Sequence, residues 1–364
     1  MGAPRAERLA ELVAAEGLDQ LIVGDLVRPG DSGLDAISNS RWLTGFTGTS
    51  GLSVVGPQTR LFITDFRYTE RAEHEVEESF DRVIAKSKLM PELASHLGGR
   101  VGFDDALTSV ANLHKLTEAV AGDVELVATT GLVERLRRIK EETEVASIAE
   151  ASRLTDDAYE FVLVGGLAGR TERDVAGAAL ARIRELGAEP SFRAIVAAGA
   201  NGAQPHAEPS EREIAAGELV VWDMGAQLDG YCSDCTRTYA AGEPGDDARE
   251  VYELVRRAQA EALEAIRPGV GGAEADEVAR AIIRDGGHGA EFGHGLGHGV
   301  GLEVHEGPRL GQRSDDELAA GDVVTVEPGV YVAGRFGVRI EDLVVVTPDG
   351  HRNLSSLPKE LTIV

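Results

Sequence analysis

The chain has 364 residues, with 36 Lys and Arg against 62 Asp and Glu, so its formal net charge is −26. That length is typical of about two domains, since single hydrophobic cores stop growing at roughly 250–300 residues. Strong acidity without a basic cluster excludes nucleic acid and anionic membrane surfaces as partners, because both are bound through Lys and Arg. No stretch approaches the ~18 apolar residues of a membrane span, and the N-terminus is too charged for a signal peptide, so we expect a cytoplasmic protein.

Short apolar runs and helical patterns alternate over the first 130 residues. An apolar face of Leu9, Leu12 and Val13 predicts a helix over 4–16. The other elements predicted here are strands at 21–24, 52–55, 61–63 and 101–103 and helices at 91–97 and 107–120. We therefore expect an α/β domain over residues 1–130.

A second domain is expected over residues 131–364. It opens with 132–159, which contains neither Gly nor Pro and predicts one long helix. The later predicted elements are helices at 171–186, 248–266 and 273–283 and strands at 194–198, 219–224, 231–239, 323–326, 329–332 and 338–346. Because helices are interspersed with hairpins, the pattern favours an α+β fold with an antiparallel sheet over a doubly wound parallel sheet.

Two aspartates flank a hairpin signal in this domain. Asp229-Gly230 is a strong two-residue turn between β-prone runs. If it forms the loop, Thr236 faces Asp223, and Asp223 and Asp234 project from the same face as diagonal neighbours. Two carboxylates so close repel each other unless a proton or a cation lies between them.

Cys232 and Cys235 have a C-x-x-C spacing that invites a redox or zinc interpretation. In a strand, however, the two side chains point to opposite faces, so a disulfide or a shared zinc ion is geometrically difficult. We therefore set this interpretation aside.

The segment FGHGLGHGVGLEVHE has glycine at every second position from 293 to 301. In an extended chain His294 and His298 then share one face, and the glycine face lets a backbone or a ligand approach closely. The alternatives are a mobile glycine loop and a phosphate cradle. A cradle requires a lysine or a helix N-terminus after a strand, and neither is evident.

Glu327 and Glu341 each interrupt a hydrophobic run that should be buried. A buried carboxylate is expected to be paired or metal-bound. Arg339, two residues before Glu341 on the same strand face, is the alternative partner. Together with Asp223, Asp234 and His298, the two glutamates form an oxygen-rich set that suits two hard or borderline divalent ions, and this predicts a dinuclear metallohydrolase.

These residues resemble the pita-bread metallopeptidases, which include methionine aminopeptidase, aminopeptidase P and prolidase. The order Asp223, Asp234, His298, Glu327, Glu341 is similar to the five metal ligands of that family. The segments NSRWLTGFTGTSG and TDFRY resemble the creatinase-type N-terminal domain of aminopeptidase P and prolidase. The resemblance thus implies a C-terminal pita-bread domain with an antiparallel sheet, preceded by a smaller α/β domain.

The resemblance also implies a function and roles for single residues. It favours an Xaa-Pro aminopeptidase acting on peptides with proline at position two, with Mn(II) as the activating ion and Co(II) or Zn(II) as alternatives. It implies that Glu327 moves a proton, that Arg339 orients the Glu341 side of the site, and that three histidines form the substrate pocket: His206 in NGAQPHA, His294, and His305 in LEVHE.

Three alternatives remain open from the sequence. A prolidase would cleave only dipeptides, and the motifs do not distinguish it from the aminopeptidase. A creatinase-like enzyme without metal and a non-catalytic peptide-binding protein share the fold, but neither has a reason to keep all five ligands. We further expect a homodimer in which the N-terminal domain of one subunit rims the pocket of the other.

Overall fold

The structure is a computed structural model that describes residues 3–24, 26, 38–86 and 88–364. The chain divides into two compact units, the first ending at Arg137 and the second beginning at Arg138. Within the described residues, no helix has the length and apolar character needed to cross a membrane.

The first unit is built on a six-stranded mixed sheet. Its strands are β1 (Gln20–Val23), β2 (Gly51–Gly56), β3 (Thr59–Asp65), β4 (Asp81–Ala85), β5 (Gly99–Asp104) and β6 (Val124–Thr129), in the order β4-β3-β2-β1-β5-β6. The described helices are α1 (Arg5–Ala15), α2 (Ser38–Thr44), α3 (Thr69–Glu75), α4 (Leu89–Ala94), α5 (Val110–Ala119) and α6 (Leu132–Arg137). Strand β1 pairs antiparallel with β2 and parallel with β5, as an α/β domain requires.

The second unit combines four helices with antiparallel sheets. The helices are α7 (Glu142–Leu163), α8 (Glu172–Glu185), α9 (Asp246–Ala265) and α10 (Gly272–Asp285). The strands are β7 (Glu189–Pro190), β8 (Ile195–Ala198), β9 (Glu218–Met224), β10 (Ala226–Leu228), β11 (Tyr231–Cys232), β12 (Cys235–Ala241), β13 (Gly297–Gly299), β14 (Glu306–Leu310), β15 (Val323–Val326), β16 (Gly329–Val332), β17 (Phe336–Arg339), β18 (Asp342–Thr347) and β19 (Gly350–Asn353).

The strands of the second unit pair in four groups: β12-β9-β8, β11-β10-β7, β14-β13-β15-β18-β19 and β16-β17. Every pairing between them is antiparallel. Apolar side chains of α9 and α10 pack on this layer around Val255, Ile283 and Val324. The predicted α+β class is confirmed, and its antiparallel sheets carry the residues singled out by the sequence.

The single helix predicted over 132–159 is wrong, because the chain forms two helices there. Helix α6 ends at Arg137 and α7 begins at Glu142. Glu141 and Glu144 form a reciprocal capping box at the start of α7. The backbone N–H of Lys140 donates to the carbonyl of Gly321, at 2.9 Å, outside any helix. Capping and this long-range hydrogen bond outweigh the helix propensity of the intervening residues.

Candidate metal centre

The hairpin that carries the two aspartates has the predicted register. Asp229 and Gly230 adopt φ angles of 48° and 81°, as a two-residue turn with both central residues in the left-handed region requires. Thr236 lies opposite Asp223 in the pairing of β9 with β12. The turn chemistry alone therefore places this part of the candidate site.

Two of the candidate ligands lie where strands are interrupted. The strand predicted over 231–239 breaks at Ser233 and Asp234, where the N–H of Ser233 donates to the carbonyl of Ala226. The strand predicted over 338–346 breaks before β18, and the N–H of Glu341 donates to the carbonyl of Thr236, at 3.0 Å. At each interruption the side chain of the candidate ligand, Asp234 or Glu341, no longer follows the alternation of a regular strand.

Three of the five alternating glycines in the histidine segment face neighbouring backbone: Gly295, Gly297 and Gly299. A Cβ at Gly297 would collide with the carbonyl oxygen of Thr325, and one at Gly299 would collide with that of Gly307. The prediction of a glycine face for close backbone approach is confirmed. The extended conformation is shorter than predicted, because β13 covers only Gly297–Gly299, so His294 lies outside the strand.

The structure brings all five candidate ligands together. Ligand oxygens of Asp223, Asp234 and Glu341 lie within 4.8 Å of one another. His298 Nε2 lies 3.7 Å from Asp234 Oδ2 and 3.3 Å from Glu327 Oε1. All but Glu327 are less than a tenth exposed, and Glu327 is partly buried. Four carboxylates and one imidazole thus share one largely buried volume.

The tautomer of His298 suits a metal ligand. Its Nδ1 lies 3.1 Å from the carbonyl oxygen of Gly299, which can only accept, so Nδ1 carries the proton. Nε2 then faces the carboxylates of Asp234 and Glu327, where it can donate a proton to Glu327 or, without that proton, present a lone pair to a metal ion. A lone pair facing two anions is favourable only with a proton or a cation between them.

Arg339 is buried beside the site, and it forms an ion pair with Asp223 and not directly with Glu341. Its Nη2 donates to Asp223 Oδ2 at 2.5 Å, and its Nε donates to Thr236 Oγ1 at 3.0 Å. The Thr236 hydroxyl donates in turn to Glu341 Oε2 at 2.7 Å. Arg339 therefore reaches Glu341 through Thr236, which lies between the two side chains.

Burial and mutual repulsion disturb the protonation of the carboxylates. Burial raises the pKa of Asp234 and of Glu341 well above their usual range, and neighbouring carboxylates raise both further. Burial likewise raises the pKa of Asp223, against the opposing effect of Arg339. Burial also acts to raise the pKa of Glu327, but the hydrogen bond and charge of His298 prevail and lower it to about 2.

Three of these carboxylates each keep one oxygen with no hydrogen-bond partner: Asp223 Oδ1, Asp234 Oδ1 and Glu341 Oε1. Buried carboxylate oxygens without donors are costly, and divalent cations are the ligand that satisfies several of them at once. The donor set of four carboxylates and one imidazole therefore fits divalent metal ions. The residues do not select one metal, because Mn(II), Co(II) and Zn(II) all accept O and N ligands.

A cavity of about 610 Å³ opens onto the candidate ligands. The three predicted pocket histidines, His206, His294 and His305, all line it, as does Arg339. The ring of His305 lies edge to face with that of His298, with centroids 4.4 Å apart. Burial and the charges of His298 and Arg309 lower the pKa of His305 to about 4, so its ring is neutral at neutral pH.

His294 is also held as a neutral imidazole. Burial lowers its pKa. Its Nδ1 lies 2.8 Å from the carbonyl oxygen of Gly295 and therefore carries the proton. Its Nε2 lies 3.1 Å from the hydroxyl of Tyr331, which receives a hydrogen bond from Arg339 Nη1 at 2.7 Å and so donates onward to His294. Tyr331, which sequence reasoning missed, thus connects a pocket histidine to the candidate metal centre.

A second residue that sequence reasoning missed is Arg309. It lines the cavity and lies directly opposite His298 in the pairing of β13 with β14. Facing residues of antiparallel strands project to the same side, so Arg309 and His298 share one face. No signal in the sequence marks this residue, because the register of β14 depends on the loop between the two strands.

The cysteines take no part in the site. Cys232 and Cys235 are both buried free thiols, and neither lines the cavity. Burial raises the pKa of Cys235 well above its ordinary value, which makes the thiol a poor nucleophile and a poor metal ligand.

Comparison with known proteins identifies the class to which this fold and site belong. Residues 146–348 match the model of metallopeptidase family M24, and residues 5–139 match the creatinase/prolidase N-terminal domain. The chain belongs to metallopeptidase family M24, in the proline-specific pita-bread branch, and is a hydrolase. Members of this family use divalent metal ions, in agreement with the carboxylate cluster.

Three similar proteins cover most or all of the chain. An Xaa-Pro dipeptidase of Pyrococcus horikoshii is 35% identical over 336 residues, which is 89% of this chain and 92% of that protein. The solved structure of an Xaa-Pro dipeptidase from Bacillus anthracis superposes with a TM-score of 0.93 at 38% identity, covering 99% of both chains. An X-Pro aminopeptidase structure from Thermotoga maritima has a TM-score of 0.89 at 34% identity, covering 99% of this chain and 100% of that one.

Proposed function

We propose that this protein is an Xaa-Pro dipeptidase, which hydrolyses the bond between an N-terminal residue and a C-terminal proline. The resemblance seen in the sequence favours an Xaa-Pro aminopeptidase, which also accepts longer peptides. Two of the three similar proteins are named as dipeptidases, and this supports the shorter substrate. One feature of the cavity supports it independently.

That feature is the guanidinium of Arg309. Among the described residues, no carboxylate forms an ion pair with it, although the chain carries 62 acidic residues. Arg is suited to bidentate recognition of a carboxylate. A dipeptide places its C-terminal carboxylate one residue beyond the scissile bond, whereas a longer peptide places a neutral amide there. Arg309 therefore favours substrates that end at proline.

Five residues would hold the two divalent ions: Asp223, Asp234, His298, Glu327 and Glu341. When bound, such ions would supply positive charge that polarises a carbonyl group and lowers the pKa of water, so that a hydroxide nucleophile is available near neutral pH. Mn(II) is the proposed ion, with Co(II) or Zn(II) as alternatives. A non-catalytic binding protein would have no use for this set of ligands.

The chain's own residues divide the remaining work. Glu327, ionised by its contact with His298, would accept the proton of the attacking water and deliver it to the imide nitrogen of proline. His305 is neutral and can donate an N–H to the carbonyl oxygen of the scissile bond as negative charge develops on it. Arg339 would hold Asp223 and, through Thr236, Glu341 in position.

The pocket must recognise proline by shape. An Xaa-Pro bond is a tertiary amide without an N–H, so no hydrogen bond from that nitrogen is available. His206 and His294 are the proposed walls for the pyrrolidine ring. His294 is suited to this role because both its ring nitrogens are already engaged, which leaves its face for packing.

The test compares Ala-Pro, Ala-Pro-Ala and Ala-Ala as substrates of the Mn(II)-loaded protein. A charge-assisted hydrogen bond contributes about 1.5–3 kcal/mol, so we expect kcat/KM to be roughly 10- to 100-fold higher for Ala-Pro than for Ala-Pro-Ala. Equal rates on these two peptides would return the assignment to the aminopeptidase. Equal rates on Ala-Pro and Ala-Ala would refute proline specificity altogether.

A homodimer is part of this proposal. A metal centre at an open cavity would hydrolyse many peptides, so access must be restricted, and the N-terminal unit of a partner subunit is the proposed rim. A strictly monomeric species with full activity, observed by light scattering at assay concentration, would contradict it. The cytoplasmic location and the domain boundary after residue 130 stay predictions.

A further inference from the structure

We propose that Glu172 is a positioning residue for the substrate pocket, and that its carboxylate holds both ends of the segment 201–210, which carries His206. The inference rests on the proposed dipeptidase function. Glu172 is the first residue of α8 and its side chain is completely buried. It does not line the cavity, so it can act only through the segment that it holds.

One oxygen of Glu172 joins the two ends of this segment. Its Oε2 accepts from Asn201 Nδ2 at 2.8 Å and from the N–H and hydroxyl of Ser210, at 3.0 and 2.7 Å. Its Oε1 accepts from the N–H of Ala198 at 2.7 Å, at the end of β8. The carboxylate therefore ties strand β8 to both ends of a loop.

The loop between these two ends is a wall of the cavity. Five consecutive residues, 205–209, line it, and His206 is among them. Few other groups hold the loop: Arg339 Nη1 donates to the carbonyl of Pro205 at 3.2 Å, and Arg193 forms an exposed ion pair with Glu208 at 3.0 Å. Both ends of the wall, by contrast, converge on the single carboxylate of Glu172, so the position of the whole segment depends on that group.

A carboxylate is required at this position by the chemistry of its neighbours. All four hydrogen bonds come from neutral donors, and among the described residues no cation lies within ion-pair distance of Glu172; the nearby Arg212 forms its ion pair with Glu218. Burying a charge without a counter-ion is costly, and only an ionised carboxylate offers acceptors on both oxygens. An amide would turn an N–H₂ group toward donors. The four hydrogen bonds that hold the cavity wall offset the free-energy cost of burying this carboxylate.

The decisive variant is Glu172→Gln, which keeps the size of the side chain and removes acceptors. We expect KM for Ala-Pro to rise about tenfold, the lower end of the range for a pocket contact. We expect kcat to stay within about threefold and the Mn(II) content to be unchanged, because the metal ligands lie on other segments. Hydrogen exchange of the backbone amides in 201–210 should become at least about tenfold faster.

A matched control is Asp156→Asn. Asp156 is also a buried carboxylate on a helix, and its Oδ2 accepts from the N–H and the hydroxyl of one serine, Ser356. Neither residue lines the cavity. We expect this variant to lose stability without a change in KM. If both variants raise KM equally, the role of Glu172 is merely structural and the proposal is overturned.

Two further results test the proposal when Glu172→Gln is not informative. If Glu172→Gln does not fold, the double variant Asn201→Ala, Ser210→Ala removes the two side-chain hydrogen bonds from the loop to Glu172. An unchanged KM in the double variant overturns the proposal. If the wild type does not hydrolyse Ala-Pro, the proposed function fails. Hydrogen exchange then still tests Glu172, because unchanged exchange in 201–210 would refute the tie itself.

Discussion

Arg339 donates a hydrogen bond to Asp223 at 2.5 Å across a sequence separation of 116 residues. The side chains of Arg339 and Asp223 are 4% and 12% exposed. The same guanidinium reaches Thr236, Tyr331 and the carbonyl of Pro205. One arginine thus connects the candidate metal ligands to the pocket wall, and its loss should disturb the position of both.

Arg339→Met should destabilise the metal-free protein. Removing one partner of a buried ion pair leaves the other charge uncompensated, and this costs about 3–5 kcal/mol. Urea denaturation in the presence of a chelator measures the free energy of unfolding directly. Arg339→Lys should recover part of the loss, because it keeps the charge but not the fork of donors. A change below about 1 kcal/mol in Arg339→Met would show that the pair contributes little.

Asp234→Ala should remove metal and turnover while the fold persists. Asp234 lies within reach of Asp223, Glu341 and His298, so its loss opens the shared centre. We expect kcat/KM to fall by at least about 100-fold. Mutating a residue that only hydrogen-bonds to a metal ligand costs about 10- to 100-fold, and losing a ligand itself should cost more. Elemental analysis should find a lower metal content per chain, and circular dichroism should be unchanged. Full activity in this variant would contradict the proposed dinuclear metal centre.

The raised pKa values of three buried carboxylates should make the metal-free protein less stable as pH rises above about 6.5. The pKa values of Asp223, Asp234 and Glu341 are raised in the folded state, so it binds more protons than the unfolded chain. Their contribution is fully present below about pH 4, the unfolded value, and is lost as pH rises through the folded pKa values. Lowered pKa values act in the opposite sense: that of Glu327, about 2, below about pH 4.5, and that of His305, about 4, between about pH 4 and 6.5. The slope above about pH 6.5 therefore reports the carboxylates.

Urea denaturation at several pH values checks this slope, with Asp234→Asn as the reference because it lacks one of the titrating groups. The slope should be shallower in that variant. Added Mn(II) should stabilise the wild type more at pH 8 than at pH 5, since metal ions compete with protons for the carboxylates. A metal-free protein that becomes more stable toward pH 8 would contradict the raised pKa values.

Arg309→Met should abolish the preference for a free C-terminus. On Ala-Pro we expect kcat/KM to fall by roughly 10- to 100-fold, the equivalent of one charge-assisted hydrogen bond. On Ala-Pro-amide, which has no C-terminal charge, the variant and the wild type should differ little. Arg313→Met is the matched control, because Arg313 is a nearby cation that does not line this cavity. An equal loss on both substrates would assign Arg309 another role.

His206→Ala should weaken recognition of proline without affecting the metal. Losing a packed imidazole wall costs about 1–3 kcal/mol, so kcat/KM on Ala-Pro should fall by roughly 10- to 200-fold. Metal content should match that of the wild type, since His206 is not among the candidate ligands. A fall on Ala-Ala as large as that on Ala-Pro would mean that His206 serves the reaction in general and not the proline ring.

Local chemistry determined a large part of this protein. The turn Asp229-Gly230 set the register that places Thr236 opposite Asp223, because a two-residue loop leaves no freedom in the pairing. Alternating glycines likewise predicted close backbone approach around His298, because period-two alternation is a property of any extended strand. Sequence order and residue type were sufficient to select the five residues that converge.

Only the tertiary structure decided which groups those residues meet. Arg339 pairs with Asp223 instead of its sequence neighbour Glu341, because the breaks in two strands bring Thr236 between them. Arg309 and Glu172 carry no local signature, since their roles depend on the register across a loop and on the packing of α8 against β8. Long-range contacts of this kind are fixed by the packing of the whole second unit, which no short stretch of sequence encodes.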